Sequence, residues 1–462
     1  MKMTGCLKEF IRYSSFNVLG MLGLSCYILA DTYFVSRGLG TNGLAALNLA
    51  IPVYSFLHGS GLMIGMGGGA KYSIQKSLKT KKDANQTFSN AIMLAAAAAA
   101  VFCVLGTFFA SPIVFLLGAD AEIDQMAVSY LQTVLNFAPA FLLNNVLLCF
   151  VRNDGAPQLS MAAMIGGSLA NIVLDYVFIF PCDMGMFGAA LATGLAPIIS
   201  IMILSPFFIQ RKNGFHFTTW KISGSLTAKI ISMGAPSLIT EASSGVVMIV
   251  FNSIILTFEG NAGVAAYGVI ANLSLVVLAV YTGIAQGIQP LLSENYGAGK
   301  FSEVKKIFQY AIAAVLIISG IVYGSIFFGA ESIAGLFNHD HNALLTDIAV
   351  PGLRIYFLAC PFAGLNIILS VYFVSIEVAR PAHVVSVMRG LAVIIPMAFF
   401  LSFLAGTTGI WSSFPVTEFF VSAVGLLLYR LKGPLAVQRF YEPNTVLNAA
   451  KKENERAEQG GV

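Results

Sequence analysis

Apolar runs of about 20 residues, each long enough to cross the hydrocarbon core of a bilayer, recur along almost the whole chain, and nothing else restricts its folding so tightly. Twelve can be marked, starting near Ser15, Leu44, Phe88, Ile123, Pro157 and Gly185, then near Ala228, Ala262, Lys305, Leu345, Arg380 and Thr407. Backbone in lipid must satisfy its own hydrogen bonds, so runs of this length are helices. The connections are short and leave no extramembrane domain for separate chemistry. Charged residues make up only 10% of the chain, against roughly 25% in a soluble globular protein, while hydrophobic residues reach 57% and mean hydropathy is +0.80. The expected fold class is all-α integral membrane, with twelve transmembrane helices and the lipid bilayer as main solvent. In that setting a net charge of +4 does not point to nucleic acid, and none is expected as a partner.

Where the positive charges sit is informative. Lys71, Lys76, Lys79, Lys81, Lys82, Arg152, Arg211, Lys212, Lys221, Lys300, Lys305, Lys306 and Arg380 fall in or beside alternate connections. The opposite connections carry Asp120, Glu122, Asp124, Asp183, Glu259, Glu331 and Asp340, and only Arg37 and Arg354 lie clearly toward that side. The positive-inside rule then places both termini in the cytosol. The first apolar run lacks a small-residue cleavage site behind it and is expected to stay as a span. The six cysteines, Cys6, Cys26, Cys103, Cys149, Cys182 and Cys360, have no paired spacing, so neither a disulfide framework nor a zinc site is expected. After Arg430 the chain turns polar and ends in KKENERAEQGGV, which reads as a cytosolic extension frayed at its end.

The chain echoes itself. GLGTNGLAALNLAIPV from Gly38 is matched by FEGNAGVAAYGVIANL from Phe258, and VRNDGAPQLS by IEVARPAHVV, each after the fourth run of its half. In the run that follows the first echo, Gly61 and Gly65 pair with Gly283 and Gly287 in G-x-x-x-G spacing, and Gly69 extends the first set. Such glycines let helix backbones approach closely in lipid. The division is a first lobe at 1–212, a linker at 213–227, a second lobe at 228–432 and a tail at 433–462. Six runs per half make the repeat parallel, an arrangement in which transporters place substrate between the halves and rock one against the other.

Carboxylates inside spans are costly and mark function. Asp31 lies toward the outer end of the first run and Asp175 toward that of the fifth, with Asn171 one turn away on the same face. Thr193 enters the sixth run from the same side. At 1.5 Å per residue these four sit about 7–14 Å below the outer boundary. Carboxylate, amide and hydroxyl oxygens suit a hard cation such as sodium. They suit a proton equally well, because two adjacent carboxylates in low dielectric cannot both stay charged. The second half instead places Glu241 and Glu418 near mid-depth, as candidates for substrate or proton binding. Neither has a basic neighbour in sequence; Arg354 either pairs with one of them or snorkels outward. Nearby Tyr27, Phe34, Met233 and Met248 offer aromatic and thioether faces of the kind that accept organic cations, although most such residues are packing.

These segments resemble the multidrug and toxic compound extrusion (MATE) family, closest to its MepA-like bacterial branch. The resemblance covers all twelve runs and rests on ADTYFVSRGLGTNGLAA, RNDGAPQLSMAAMIGGSLANIVLDYVFIF, MGMFGAALATGLAP, GAPSLITEASSG and GIAQGIQPLLSENYGAGK. It implies export of organic cations and drugs across the bacterial cell membrane, driven by inward sodium or proton flow, with no further cofactor and a monomer as the working unit. It also implies a cation site at Asp31, Asn171, Asp175 and Thr193, and a functional acid at Glu241. Where some members carry a second cation-binding aspartate this chain has Asn366, which argues against a sodium site in the second lobe. Glu418, within FPVTEFF, fits the same branch.

Two other function classes compete. A lipid-linked oligosaccharide flippase shares this architecture, but commonly has more spans and a strongly basic cavity. An intramembrane enzyme would need a nucleophile–base or metal-ligand spacing around one of the five histidines, His58, His216, His339, His341 and His383. Only His58 lies plainly within a span, and nothing of that kind accompanies it, so it reads as satisfied or pore-lining.

Overall fold

The computed structural model describes residues 5–218, 221–337 and 343–459, helical throughout and without a strand. Asp340, His339 and His341 lie outside the described residues. In chain order the helices are α1 (Gly5–Ser77), α2 (Lys81–Leu116), α3 (Asp124–Asn136), α4 (Ala138–Asn153), α5 (Pro157–Ile179) and α6 (Gly185–Ile209). They continue as α7 (Gly224–Gly297), α8 (Phe301–Phe337), α9 (Ala343–Tyr356), α10 (Cys360–Ser375), α11 (Ala379–Val387) and α12 (Ile394–Gln459). By length and apolar composition, eight helical stretches of the described residues can cross a membrane, or nine with the bent pair α3–α4 taken as one crossing. Their outward surface is apolar: Leu116 and Phe328 are each 87% exposed and Phe403 86%. Such a face is stable against lipid and not against water.

Helices α1 and α7, of 73 and 74 residues, would each run about 110 Å if straight. Both break at one glycine with positive φ, Gly40 (φ 68°, ψ −160°) and Gly260 (φ 59°, ψ −152°). A residue with a Cβ avoids that backbone, so glycine is what permits the break. A third break falls at Ala405–Gly406 in α12. Elsewhere the bends are milder. Helices α3 and α4 meet at 49° around Phe137, just ahead of Pro139. A 3₁₀ turn at Phe357–Ala359 precedes Pro361, and a π turn at Met388–Ala392 separates α11 from α12. In place of a frayed tail, α12 continues to Gln459, through a segment rich in the helix formers Ala, Lys, Glu, Arg and Gln.

Two buried apolar clusters follow the chain. One runs from Val35 to Phe215 and takes in Ile230; the other comprises residues from Met233 onward, joined by Phe10, Tyr13, Ala70 and Ile74. The segment between α6 and α7 is strapped to the first cluster. Phe215 is fully buried among Tyr72, Phe88, Phe150 and Phe208, while Asp154, Asn85, Ser89 and Asn90 accept backbone N–H bonds from Gly214, His216, Thr218 and Ser223.

The clusters meet along α1 and α7, and the packing corrects the glycine register read from sequence. Gly61, Gly65 and Gly69 face α4, at Asn145, Cys149 and Asn153, and not the other half. Gly67 instead lies on Ile230 and Gly234 of α7, whereas Gly287 of α7 lies on Tyr13 and Ser14 of α1. Gly67 and Gly287, Ser14 and Gly234, and the two break glycines Gly40 and Gly260 are all separated by the same sequence interval. Across α1 and α7 the repeat is therefore in one register, and Gly67, not Gly65, is the counterpart of Gly287.

Candidate functional site

Within the first half the four residues singled out by depth converge. Asp31 of α1, Asn171 and Asp175 of α5 and Thr193 of α6 are all buried, Asn171 and Asp175 completely. The carboxyl groups of Asp31 and Asp175 face each other within hydrogen-bonding reach. With its amide oriented to satisfy both neighbours, Asn171 donates to Asp175 Oδ2 (3.0 Å) and accepts from the Thr193 backbone N–H (3.2 Å). The Thr193 hydroxyl donates to the Ala189 carbonyl (3.0 Å), leaving its lone pairs available. Asp31 Oδ1 and Asp175 Oδ1 remain buried without a donor among the described residues. Neither carboxylate takes part in an ion pair there. Buried acceptors without donors are rare, because each keeps its desolvation cost. A pair of them side by side is what a small cation or a proton would relieve.

This cluster borders a cavity of about 770 Å³, counting the open space at its mouth. Tyr27 and Thr193 line one end, and Arg152, Asn145 and Gln286 the other. Tyr27 and Tyr54 share a hydrogen bond of 2.9 Å, and His58 stacks on Tyr54 with ring centroids 6.0 Å apart. Glu241 reaches the same wall from α7: its Oε2 lies 3.7 Å from His58 Nδ1, and its stem lies against Gly59. His58 thus lines the cavity, and Glu241 sits beside it.

Glu418 lies elsewhere. It is completely buried in the second half, with Oε1 accepting from Arg389 Nε (2.5 Å) and Oε2 from Asn366 Nδ2 (2.7 Å). Sequence reading missed Arg389, which the π turn directs at Glu418. Arg354 pairs with neither candidate acid. Its Nη2 is 3.4 Å from Glu331 Oε1, and its guanidinium lies over the Phe327 ring. Of the apolar residues noted, Tyr27 lines the cavity. Met233 is core, Phe34 packs on Tyr176 and Phe180, and Met248 is partly exposed.

Arg152 was also missed. Read as a cytosolic charge, it is in fact only 1% exposed and turned inward. The signal that would have found it is the pair Asn17 and Gln286, polar residues in apolar runs, whose side-chain oxygens accept from Arg152 Nη1 at 2.8 and 2.9 Å.

The MatE family model matches residues 18–177 and 236–400, one block in each half. Two curated relatives, both called multidrug export protein MepA, come from Staphylococcus saprophyticus and Staphylococcus aureus. The first is 26% identical over 94% of this chain and 95% of its own length; the second is 25% identical over 93% and 95%. A solved structure described as the outward-facing conformation of a multidrug resistance MATE transporter superposes with a TM-score of 0.88 at 23% identity. It covers 95% of this chain and 100% of that one. A second, a MATE protein in its bent conformation, gives 0.86 at 23% identity over 94% and 97%. The chain belongs to the MATE family, whose members are membrane transporters and not enzymes.

Proposed function

We propose that this transporter is a secondary active multidrug exporter of the bacterial cell membrane, coupling outward movement of organic cations and drugs to inward movement of sodium ions or protons. The observation that carries the reading is the pair of unpartnered buried oxygens on Asp31 and Asp175, beside a cavity that residues of both halves line. Twelve spans follow if α1, α7 and α12 each divide at their glycine breaks, α3–α4 and α9–α10 each cross once, and α11 crosses with the start of α12. Residues 1–212 then form one lobe and 228–432 the other, joined by 213–227, with both termini and the tail 433–462 in the cytosol.

In this reading the outward-open protein takes up the cation at Asp31, Asn171, Asp175 and Thr193. Neutralising the two carboxylates removes negative charge from beside the cavity, lowers its affinity for a positively charged drug and releases the drug outward. Thermodynamic reciprocity requires the drug to weaken cation binding by the same factor. Glu241, beside the cavity wall, provides a second negative contact for a bound organic cation.

The test is ethidium efflux from proteoliposomes with sodium and pH gradients imposed separately. Efflux is expected to follow one of the two and to fall at least tenfold in Asp31→Asn and Asp175→Asn. Efflux indifferent to both gradients rejects antiport. Gradient-driven efflux at the normal rate in both variants relocates the coupling site.

A further inference from the structure

We infer that Arg152 is a binding group for the anionic end of transported compounds, so that it discriminates compounds carrying a carboxylate from plain cations. The inference rests on the exporter reading above and assigns a positively charged binding group to the same cavity.

Arg152, the penultimate residue of α4, lines the cavity and is almost completely buried. A guanidinium is always charged and offers five N–H donors in a planar fork that matches a carboxylate. Here the fork is poorly matched. Nη1 donates to the neutral side-chain oxygens of Asn17 and Gln286, and Nη2 faces only sulfur, Met66 Sδ at 3.5 Å and Cys149 Sγ at 3.4 Å. Nε has no acceptor among the described residues. Among the described residues no carboxylate pairs with it. A buried charge without a counter-ion is costly. An arrangement that keeps the charge, leaves Nε bare and opens onto a ligand cavity is set up for an anion supplied from outside.

The charged groups around the cavity are also well separated. Asn17, which holds the guanidinium, precedes Asp31 on the unbroken first part of α1, and at 1.5 Å per residue the two lie about 21 Å apart along its axis. The carboxylates lie behind Thr193, outside the cavity wall, while the guanidinium lines the opposite end. Gln286 belongs to the second half, so a carboxylate that captures Nη1 would displace a bond holding the halves together at that level.

The experiment compares a rhodamine free acid with its methyl ester, two fluorophores that share one cationic ring system and differ by the carboxylate. Binding to the purified protein in nanodiscs is read by fluorescence anisotropy, without any gradient. In the wild type the acid is expected to bind at least as tightly as the ester. In Arg152→Gln the acid should lose at least ten times more affinity than the ester, while Arg152→Lys, which keeps the charge without the fork, should recover part of the difference. Equal losses for both ligands mean that Arg152 only ties the halves together, and overturn the assignment. So does a wild type that prefers the ester tenfold. If Arg152→Gln does not fold, the wild-type preference and Arg152→Lys decide alone. Exchange of gluconate for chloride at constant ionic strength separates a substrate carboxylate from a free inorganic anion. Arg152-dependent tightening of the ester by chloride assigns the site to the free anion and rejects the proposal. Ester efflux that ignores cation gradients would sink the coupling reading without affecting the acid–ester comparison.

Discussion

At the residue scale, the acids of the two halves differ in how their charge is met. Asp31 and Asp175 face each other without a cation, whereas Glu418 is held by the Arg389 guanidinium and the Asn366 amide. Glu418 is thus held from two sides, while Asp31 and Asp175 each keep a buried oxygen with no donor among the described residues. Arg389→Met would strand a buried carboxylate, and a loss of about 3–5 kcal/mol is expected. Thermal unfolding in detergent should show this as a clear drop in Tm, partly restored by adding Glu418→Gln. An Arg389→Met protein as stable as the wild type would mean that the pair contributes nothing. The four oxygen-bearing residues of the first half were legible in sequence because helical rise gives each a depth, and i, i+4 spacing puts Asn171 and Asp175 on one face. Arg152 and Arg389 were not. Arg152 lies at the end of an apolar run, where a positive charge ordinarily points to water, and Arg389 lies inside one; the partners that turn each inward sit far along the chain.

At the element scale, the breaks at Gly40 and Gly260 and the contact of α1 with α7 explain why glycine recurs at fixed intervals. The apolar pattern gave the positions of the spans, but not that single positive-φ residues would separate them, since backbone geometry at one glycine leaves no periodic trace. The glycine register was misread by two residues for a related reason: G-x-x-x-G spacing marks a packing face without saying which neighbour covers it. The corrected register makes a sharp prediction. A Cβ at Gly234 would come within 1.8 Å of the Met63 carbonyl, and one at Gly67 within 2.1 Å of the Ile230 carbonyl. Both obstacles are backbone, so α1 and α7 must separate to admit a methyl group. Glycine to alanine within a helix ordinarily stabilises by about 1 kcal/mol. At Gly320, with nothing within 4 Å, that ordinary gain is expected. Gly234→Ala and Gly67→Ala should instead lower Tm and cut ethidium efflux at least tenfold. If Gly234→Ala matches Gly320→Ala in both assays, the tight seam between the halves is not required.

At the scale of the whole molecule, the halves are joined at the end that carries the basic residues. Asn153 donates to Gln289 Oε1 (2.9 Å), and Lys71 of α1 meets Glu377 at 2.7 Å. Lys229, from the same half as Glu377, holds the other carboxylate oxygen at 2.8 Å. Glu377 sits in the turn after α10 with φ 59°, a conformation that a residue with a Cβ adopts at a cost of about 1–3 kcal/mol. The turn is thus strained into the one position from which its carboxylate spans both lysines. Burial alone would raise the Glu377 pKa, but the two ammonium groups outweigh it and hold the carboxyl below the ordinary glutamate range. A depressed folded-state value means that the stabilisation is fully present above the unfolded pKa and is lost as pH falls through the folded one. The latch should therefore hold unchanged from pH 8 to about pH 5 and open only in stronger acid. Spin labels at the exposed positions Lys81 and Lys300 would report this as a distance distribution that widens below that range. In Glu377→Gln the wide population should already be present at neutral pH, and the acid-induced step should disappear. A Glu377→Gln protein that keeps the narrow distribution and still opens in acid would transfer closure of this end to the Arg152–Gln286 and Asn153–Gln289 contacts, whose groups do not titrate in that range.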